Sequence, residues 1–451
     1  MPVMRKVFVT VLAMALAAGA ASAQIAFTGA SKAVYDEAPA ASTGLNHIYV
    51  LDSSAGVGMT YTAASAQSPV VWYTYGSGGG AYATQLDGVE RNGRETVLRQ
   101  VKPDCGYIIE EGTQRTYVWV ADYSAHALSL ESVEAAPASD CGTATLNVAG
   151  SGSDLEYYSI TGVRKVLDRQ LKLAYRSLEW SDDQSQWVEK AEEESYESFK
   201  PTMVVPAPLC NTEFTLTGDK FLRFWGREQT VSSSTYATSA VDVRTTAVQE
   251  TRDNDNERKD DGQTAMGGSA PVKITFSSHC TDAVAYKEWQ MATDPDFNSI
   301  QLRLNQDEVE QTFEDAGTFY WRFIGSNADG SCSATGETYT VSIGTSELLC
   351  PNAFTPGSSE GVNDVWKVSY KSIVQFHCWI FNRWGNKIIE LNDPSQGWDG
   401  RYRGKLVDTG VYYYVIEARG ADGKNYKLKG DINIIRHKQG LNGTTGGTQG
   451  N

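Results

Sequence analysis

Short runs of aromatic and β-branched residues, each followed by glycine or another turn former, recur along almost the whole chain. One such run is Val70–Tyr75, which ends in the glycine-rich stretch 76–80, and residues 116–120 form another. Aromatic and β-branched side chains fit a pleated, half-buried sheet, and glycine fits the tight turns between strands. Sustained helical periodicity is nearly absent from the sequence. The pattern therefore predicts an all-β chain of sandwich domains.

The beginning of the chain has the order of a secretory signal peptide. Arg5 and Lys6 precede an apolar run at residues 7–21, and the small residues Ala21-Ser22-Ala23 come directly before Gln24. This predicts export with cleavage at Ala23–Gln24. The alternative, a membrane anchor, needs about 20 apolar residues, more than this run supplies. The residue directly after the cleavage site is Gln24 and not a cysteine, which argues against a lipoprotein anchor.

The chain of 451 residues is too long for one hydrophobic core, so we expect three or four β-domains. In the second of them, residues 220–225 are predicted to be extended. The Glu-rich stretch 187–197 is predicted to be a loop, with a charged edge or a short helix as the alternatives. Residues 252–262 are highly charged without apolar anchors, which is typical of a solvated linker. A calcium loop is the alternative there, but Arg258 stands where an EF-hand needs glycine.

Residues 269–345 contain strand runs and a Cys–Trp–Cys order. Cys280 and Cys332 flank Trp289, and residues 316–323 read Ala-Gly-Thr-Phe-Tyr-Trp-Arg-Phe. This module resembles an immunoglobulin-like, PKD-like or fibronectin-like domain. The resemblance implies a spacer or adhesive module, and it implies an inter-sheet bridge between Cys280 and Cys332 over a buried Trp289.

Five motifs follow one another between residues 349 and 436. Two apolar runs, Ile373–Phe381 and 411–417, are predicted to be central strands, and residues 384–386 and 421–424 are predicted to be turns. The residues that make up the motifs are Pro351, Asn352, Phe354, Pro356, Asn363, Asp364, Phe381, Asn382, Arg383, Trp384, Gly385, Trp398, Asp399, Gly400, Gly410, Tyr412, Tyr414, Gly430 and Arg436.

Together these motifs resemble the gliding-motility-associated C-terminal domain, which is the type B sorting domain of the type IX secretion system. The resemblance implies a small β-sandwich that serves as an export signal in a Bacteroidetes-type bacterium. It also implies two partners, the type IX outer-membrane translocon and a PorP/SprF-type outer-membrane protein. The alternative for this region is an ordinary terminal Ig-like module whose aromatic residues serve only the core.

Two features depart from that family. Its usual loop reads Asn-Gly-Asp-Gly-x-Asn-Asp, whereas residues 357–364 read Gly-Ser-Ser-Glu-Gly-Val-Asn-Asp, so no ion site is expected in this loop. The family tends to end at the final Ile-x-Arg, whereas here a Gly-, Thr- and Gln-rich stretch follows Arg436. That stretch is predicted to be a disordered tail, with a signal retained after export as the alternative.

The predicted fold class is thus all-β, with tandem Ig-like β-sandwich domains that end in a small β-sandwich sorting domain. The predicted organisation is a signal peptide at 1–23, an Ig-like β-sandwich at 24–136, a second β-rich domain at 137–250, a charged linker at 251–268, a PKD-, Ig- or fibronectin-like domain at 269–346, a type B sorting domain at 347–436 and a disordered tail at 437–451.

Seven cysteines follow the predicted signal peptide, in a compartment that permits disulfides. No Cys-x-x-Cys occurs and the chain has five histidines, so zinc has no support and no metal or other cofactor is expected. Cys350 and Cys378 are predicted to pair because the strands that hold them can lie side by side. The candidate disulfides are Cys280–Cys332, Cys350–Cys378 and Cys141–Cys210, with Cys105 left over.

Catalytic and nucleic-acid-binding functions find little support. The net charge of −16 repels phosphates, which excludes nucleic acid as a partner. No His-Glu-x-x-His motif occurs, and residues 76–80 lack the Gly-Lys-Ser/Thr ending of a phosphate loop. No catalytic residue is therefore assigned. The histidines are scattered along the chain at His47, His126, His279, His377 and His437.

The sequence therefore favours an exported, non-catalytic surface or secreted protein that binds a glycan, a matrix or a neighbouring protein, or that serves a gliding-related surface function. A structural component of the secretion or gliding machinery is the alternative, and a hydrolase within residues 140–250 is a third hypothesis. Exposed tryptophans would stack on sugar rings, and core packing is the alternative role for each of them. The tryptophans considered for sugar binding are Trp72, Trp119, Trp180 and Trp187.

Overall fold

The computed structural model describes residues 24–137, 140–259, 266–357 and 361–435. Several sequence predictions lie outside these ranges: the signal peptide with its cleavage bond, the tail at 437–451, and Arg436 of the C-terminal motifs. Within them the regular secondary structure is almost entirely β-strand, which confirms the all-β fold class. The helical part of these ranges comprises a five-residue α-helix and the 3₁₀ turns Ala41–Thr43, Gly80–Tyr82 and Tyr123–His126. Within the same ranges, no helix has the length and apolar character needed to cross a bilayer.

The described chain divides into two compact units that interleave along the sequence. The first unit contains residues up to 137, 143–177 and 191–237. The second unit contains residues 140–142, 178–190 and 238–435.

The first sandwich packs a sheet of order β1-β4-β8-β7 and a sheet of order β2-β3-β10-β9-β5-β6 around a shared core. Its strands are β1 (Gln24–Thr28), β2 (Tyr35–Glu37), β3 (His47–Leu51), β4 (Gly58–Thr62), β5 (Val70–Tyr75), β6 (Thr84–Gln85), β7 (Glu90–Asn92), β8 (Glu95–Leu98), β9 (Cys105–Glu111) and β10 (Gln114–Asp122). Both faces of β10 are buried, since Val118 lies in this core and Trp119 in the next one. This explains why the strand is apolar at successive positions.

The next region forms sheets of order β11-β12-β17, β13-β14 and β16-β15-β18-β19. Its elements are β11 (Ser129–Ala135), β12 (Thr143–Ser151), β13 (Glu156–Tyr158), β14 (Arg164–Val166), β15 (Leu171–Ser181), β16 (Gln186–Tyr196), β17 (Thr202–Pro206), β18 (Thr215–Gly218), α1 (Lys220–Phe224) and β19 (Gln229–Ser232).

The structure decides two local predictions in this region. Residues 220–225, expected to be extended, form α1, because the carboxylate of Asp219 accepts a hydrogen bond from the amide of Leu222 at 2.9 Å and caps the helix. Residues 187–197 lie largely in β16, which pairs with β15 at the edge of its sheet, so the charged-edge alternative holds and the favoured loop does not. The strand is mostly exposed, so its glutamates stay in solvent.

The third β-domain packs a sheet of order β20-β22-β25 against one of order β21-β28-β26-β23-β24, with β27 paired to β26. Its core is aromatic: Phe276 stacks on Trp321 with ring centroids 4.6 Å apart, and Trp289 packs on Phe323 at 5.1 Å. The strands are β20 (Val243–Gln249), β21 (Met266–Gly268), β22 (Val272–Cys280), β23 (Tyr286–Ala292), β24 (Ile300–Leu304), β25 (Glu308–Phe313), β26 (Gly317–Ser326), β27 (Ser333–Thr335) and β28 (Tyr339–Ile343).

The C-terminal domain is built on a sheet of order β30-β39-β38-β33-β34, accompanied by the pairs β29-β32, β31-β35 and β36-β37. β33 and β38 are inner strands of the sheet, as expected from their apolar runs. The strands are β29 (Glu347–Leu349), β30 (Ala353–Phe354), β31 (Trp366–Lys367), β32 (Ser369–Lys371), β33 (Ile373–Phe381), β34 (Lys387–Leu391), β35 (Gly397–Trp398), β36 (Arg401–Tyr402), β37 (Lys405–Leu406), β38 (Gly410–Gly420) and β39 (Asn425–Ile434).

The predicted linker is ordered where the structure describes it. Residues 252–258 lie against the C-terminal domain: the amide Nδ2 of Asn256 donates to the carbonyls of Val368 and Pro394 at 2.8 and 2.7 Å, and Lys367 pairs with Asp255 at 2.7 Å. These contacts correct the prediction of a solvated linker for this stretch. The described part of the chain contains no cluster of three or more His, Cys, Asp or Glu side chains able to hold a metal ion.

The disulfide of this structure joins Cys141 to Cys332, with Cα atoms 5.5 Å apart. Both residues belong to the second unit. The predicted pairs Cys280–Cys332 and Cys141–Cys210 are therefore wrong. Cys280 ends β22, whereas Cys332 lies in the turn before β27, so neither occupies a mid-strand position over Trp289. The stacked rings of Phe276 and Trp321 fill the space between the sheets that such a bridge would need.

We expect a peptide map made without reduction to contain a cross-linked peptide that holds Cys141 and Cys332. The bridge closes a sequence separation of 191 residues, so the chain-entropy model gives it roughly 5 kcal/mol of stabilisation at most. Alkylation before reduction should label Cys280, which serves as the internal control because it is a thiol in the structure. A cross-link between Cys280 and Cys332 would contradict the structure.

Candidate functional site

The C-terminal domain surrounds its five-stranded sheet with a core of aromatic side chains. Trp366 and Trp398 are fully buried and are paired across β31 and β35. The indole Nε1 of Trp366 donates to the carbonyl of Pro351 at 2.7 Å, and that of Trp398 donates to the carbonyl three residues later at 3.0 Å. Phe354 and Tyr412 pack on Trp398, with ring centroids 5.3 and 5.2 Å away. These motif residues therefore hold the domain together.

The loop at residues 351–364 is closed by its own acidic residue. The carboxylate of Asp364 accepts hydrogen bonds from the amides of Gly357 at 3.2 Å and Gly361 at 2.9 Å. The carbonyl of Asn363, a residue with a positive φ of 54°, accepts from the amide of Thr355 at 2.8 Å. The last Asn-Asp of the family pattern thus serves backbone closure in this chain.

Pro356, Asp399 and Gly400 meet at the turn that follows Trp398. Gly400 has a φ of +74°, and a Cβ atom there would lie 2.7 Å from Cβ of Pro356, so glycine is required. The Asp399 carboxylate accepts from the amide of Arg401 at 2.9 Å, which is the local turn bond expected for an aspartate before glycine.

Tyr414 and Gly430 lie opposite each other in the ladder of β38 and β39. A Cβ atom at residue 430 would lie 2.5 Å from the Tyr414 hydroxyl, so the tyrosine ring covers the glycine. Gly410 begins β38 with a φ of +146°. The carbonyl of Asn352 accepts from the amide of Asn433 at 2.9 Å and attaches the opening loop to the sheet edge.

The turn between β33 and β34 presents an exposed tryptophan. The side-chain oxygen of Asn382 accepts from the amides of Trp384 at 3.0 Å and Asn386 at 2.9 Å, and Gly385 has a φ of +81°. The guanidinium of Arg383 lies 4.3 Å from the centroid of the Trp384 ring. Trp384 is 71 % exposed, so this motif residue is displayed on the surface and adds nothing to the core.

A second exposed feature is an apolar strip that the motifs alone do not identify. Tyr412 and Ile416 of β38 point into the core, whereas Val411, Tyr413 and Val415 are exposed on the opposite side of the sheet. The signal was present in the sequence, since residues 411–416 are apolar or aromatic at every position. A half-solvated strand normally alternates apolar with polar side chains.

A comparison with family models decides what kind of domain this is. Residues 348–434 match the CHU_C type IX secretion signal domain. This region coincides with the five-stranded sheet and its loops, and we call it the secretion signal domain. A second match places a fibronectin type III domain at residues 132–233, within the region for which the sequence indicated only a second β-rich domain. No curated protein matches the chain.

Solved structures with similar strand arrangements share little sequence with this chain. One is a tetra-tandem repeat from the extending region of a large adhesion protein, 9% identical over 86% of this chain and 97% of that one, with a TM-score of 0.22. Another is a Ca²⁺-stabilised adhesin of an ice-binding Antarctic bacterium, 12% identical over 86% and 95%, with a TM-score of 0.19. Dimeric latent PorU from Porphyromonas gingivalis is 8% identical over 71% and 35%, with a TM-score of 0.16. TM-scores this low carry no functional information.

The two cysteines of the secretion signal domain are thiols, which corrects the predicted Cys350–Cys378 bridge. Cys378 points from β33 into the core, where burial and the nearby Cys350 raise the pKa of its thiol to about 12. Burial also raises the pKa of Cys350, against the opposing effect of a hydrogen bond with Tyr414. The Cys350 side chain is thus engaged by the Tyr414 hydroxyl, and Cys378 stays protonated at neutral pH.

The four tryptophans considered for sugar binding divide into two groups. Trp72 and Trp119 are each 1 % exposed and belong to sandwich cores, so they are excluded as stacking platforms. Trp180 and Trp187 are half-buried in the second unit, with ring centroids 5.6 Å apart. The indole Nε1 of Trp187 donates to the carbonyl of His279 at 3.1 Å, and Trp180 packs on the imidazole of His279 at 5.1 Å.

One arrangement in the first unit has the residue types of a hydrolase triad. His126 contacts the hydroxyl of Ser153 through Nδ1 at 2.7 Å and the carboxylate of Asp104 through Nε2 at 3.2 Å. The guanidinium of Arg169, itself buried, donates to the carbonyls of both His126 and Ser153. These bonds attach the loop after β12 to the turn before β9. A nucleophile also needs donors aimed at the developing oxyanion, and the contacts described here are all used for loop attachment.

Proposed function

We propose that this chain is an exported, non-catalytic β-domain protein of the cell surface or exterior, delivered across the outer membrane by the type IX secretion system. The match of residues 348–434 to a type IX secretion signal domain carries this proposal. The proposed route begins with Sec export directed by the predicted signal peptide at residues 1–23. The translocon and a PorP/SprF-type outer-membrane protein of a Bacteroidetes-type cell then receive the secretion signal domain.

The upstream β-domains are proposed to act outside the cell in adhesion, in glycan or protein binding, or in a gliding-related surface function. The fibronectin type III match at 132–233 supports this role, because such a domain is a spacer or a binding module. The domain boundaries set out from the sequence are part of the proposal.

We expect deletion of residues 348–451 to trap the protein in the periplasm of a type IX-secreting host, while the full chain reaches the surface or the medium. The measurement is fractionation combined with protease treatment of intact cells. The full chain expressed to the same level is the control. A truncated chain that reached the exterior at full yield would refute the proposal. Stable co-purification of the full chain with the translocon would instead favour a machinery component.

The contacts of Ser153, His126 and Asp104 are the observation that favours a second function, hydrolysis. We expect no ester or peptide hydrolysis above background, and no difference between the full chain and Ser153→Ala, because His126 is occupied in loop attachment. The measurement is turnover of a panel of ester and peptide substrates by both proteins. Activity in the full chain that Ser153→Ala abolishes would establish a hydrolase.

A further inference from the structure

The five-stranded sheet of the secretion signal domain has one side packed on the core and one side open. On the open side, Val411, Tyr413 and Val415 are 41 %, 47 % and 40 % exposed. Trp379 and Phe381 lie beside them on β33, directly opposite Val415 and Tyr413 in the ladder. We call these five side chains the outer face.

The outer face makes no visible contribution to the core of its own domain. Along β33, Cys378 and Ile380 alternate with Trp379 and Phe381. They enter the core cluster together with Ile373 and Phe376, whereas Trp379 and Phe381 do not. An antiparallel sheet with one solvated side normally carries polar groups there. Five apolar or aromatic side chains at the centre of an open sheet are instead typical of a surface that another molecule covers.

Trp384 lies in the turn at one end of β33 and is exposed. The β33–β34 turn begins directly after Phe381, and the side chain of Asn382 together with the αL residue Gly385 fixes its shape. Tryptophan and arginine are the residues most often found as energetic anchors of protein interfaces. A rigid turn that stacks Arg383 on an exposed Trp384 is therefore organised for binding before a partner arrives.

The charged residues around the outer face indicate what kind of partner can bind there. Residues 348–434 hold eleven Lys and Arg against nine Asp and Glu, although the whole chain carries a net charge of −16. Around the outer face, Lys429 lies opposite Val415, Lys427 opposite Glu417 and Asp431 opposite Tyr413, and Arg383 extends from the turn, so the border holds three basic and two acidic side chains. The carboxylate of Glu390 is already paired with Lys387 at 2.7 Å. The surface is thus an apolar centre with a surplus of positive charge at its border.

We propose that the outer face and Trp384 form the docking surface of the secretion signal domain, and that its occupant is a protein of the export machinery with an apolar patch bordered by acidic residues. This inference rests on the proposed function and adds to it the surface and the chemistry of the partner. A second copy of this chain fits less well. A symmetric contact would bring the basic borders of two copies close to each other, and like charges at a contact oppose binding.

The test compares variants of the full chain in a type IX-secreting host. Trp384→Ala combined with Tyr413→Thr removes two aromatic anchors and keeps a strand-compatible side chain in β38. The matched control is Tyr402→Thr, an exposed aromatic residue of the same domain that lies in the β36–β37 hairpin. Limited proteolysis of the purified proteins checks that both variants keep the fold of the full chain.

We expect the double variant to lower the amount of protein outside the cell by about tenfold or more, since truncating interface anchors commonly weakens binding by that factor. Tyr402→Thr should export normally. The folded double variant could be exported normally while the chain deleted for residues 348–451 is retained. That result would refute the docking role of the outer face and leave the proposed function supported. Normal export of the deleted chain would overturn both.

Charge reversal tests the chemistry of the partner. We expect Arg383→Glu combined with Lys429→Glu to reduce export severalfold, and Arg401→Glu combined with Lys405→Glu, in the β36–β37 hairpin, to leave it unchanged. Unchanged export in the first variant would refute an acidic border on the partner. Sedimentation of the purified chain provides the last check: a dimer that Tyr413→Thr dissociates would assign the outer face to a second copy and overturn the proposal.

Discussion

Replacing Asp219 with alanine is expected to destabilise the first unit by about 3–5 kcal/mol, because it leaves the charge of Arg169 buried without its counter-ion. The two side chains are 0 % and 1 % exposed, and a guanidinium N–H of Arg169 donates to the Asp219 carboxylate at 2.5 Å. The same carboxylate accepts from the Tyr123 hydroxyl at 3.1 Å and caps α1 through the amide of Leu222. One substitution therefore removes an ion pair, a hydrogen bond and a helix cap.

Hydrogen exchange is the suitable measurement, since a chain of several domains does not unfold in one transition. Peptides that cover β10, the following 3₁₀ turn and α1 should exchange faster in Asp219→Ala. Glu90→Gln is the matched control, because Glu90 pairs with Arg99 on the surface of the same unit and its loss should leave exchange unchanged. Unchanged exchange in Asp219→Ala would show that the buried pair contributes nothing to stability.

A double variant separates the ion pair from the cap. Arg169→Met with Asp219→Asn removes both charges and keeps an oxygen that can accept from the Leu222 amide. We expect the double variant to lower the free energy of unfolding by less than the sum of the two single substitutions, because neither partner is left as an unpaired buried charge. A cost equal to the sum would mean that the two side chains act independently.

Strands that carry a clear apolar pattern of their own could be predicted from the sequence. Elements that lack such a pattern could not. Val70–Tyr75 and Ile373–Phe381 were predicted with their observed bounds, since each carries its own apolar pattern and its own turn. For β16, a loop was favoured over a charged edge because glutamates suit solvent in a loop as well as in an exposed strand. α1 is only five residues long and shows no helical period, although the Asp219 cap was a readable signal.

The disulfide could not be read from the sequence, because it depends on a contact between residues 191 positions apart. The Cys–Trp–Cys order of the third domain predicted an inter-sheet bridge, but spacing says nothing about whether the cysteines lie in mid-strand. In this domain Phe276 and Trp321 fill the space between the sheets instead. Aromatic stacking thus replaces the covalent bond that the resemblance implied.

The secretion signal domain was recognised from its motifs, but motifs do not tell core from surface. In the sequence, nothing distinguishes Trp366, Trp384 and Trp398 from one another. In the structure, Trp366 and Trp398 are buried, whereas Trp384 is exposed. The difference arises because β31 and β35 pair beneath the sheet, whereas Trp384 lies in a two-strand turn. Whether each tryptophan is buried depends on which strands pair, and only the three-dimensional structure shows that pairing.

Replacing Trp398 with alanine is therefore expected to destabilise the secretion signal domain by about 3–5 kcal/mol, the usual cost of truncating a fully buried tryptophan. The substitution removes the packing of Phe354 and Tyr412 on the indole ring and leaves the backbone carbonyl of Arg401 without its donor. Hydrogen exchange of the β38 and β39 peptides should accelerate. Gly400 follows Trp398 by two residues and meets Pro356, so residues 351–357 of the opening loop should loosen as well.

Trp384→Ala is the matched comparison, since it deletes the same side chain from an exposed position in the same domain. We expect its exchange rates to match those of the unaltered chain, because the ring contacts Arg383 on the surface and supports no core residue. Equal destabilisation by the two substitutions would mean that Trp384 is structural, and it would remove the reason to regard it as a binding residue. A large loss of stability in Trp398→Ala, with no loss in Trp384→Ala, would distinguish the residues that stabilise the core of this domain from those exposed on its surface.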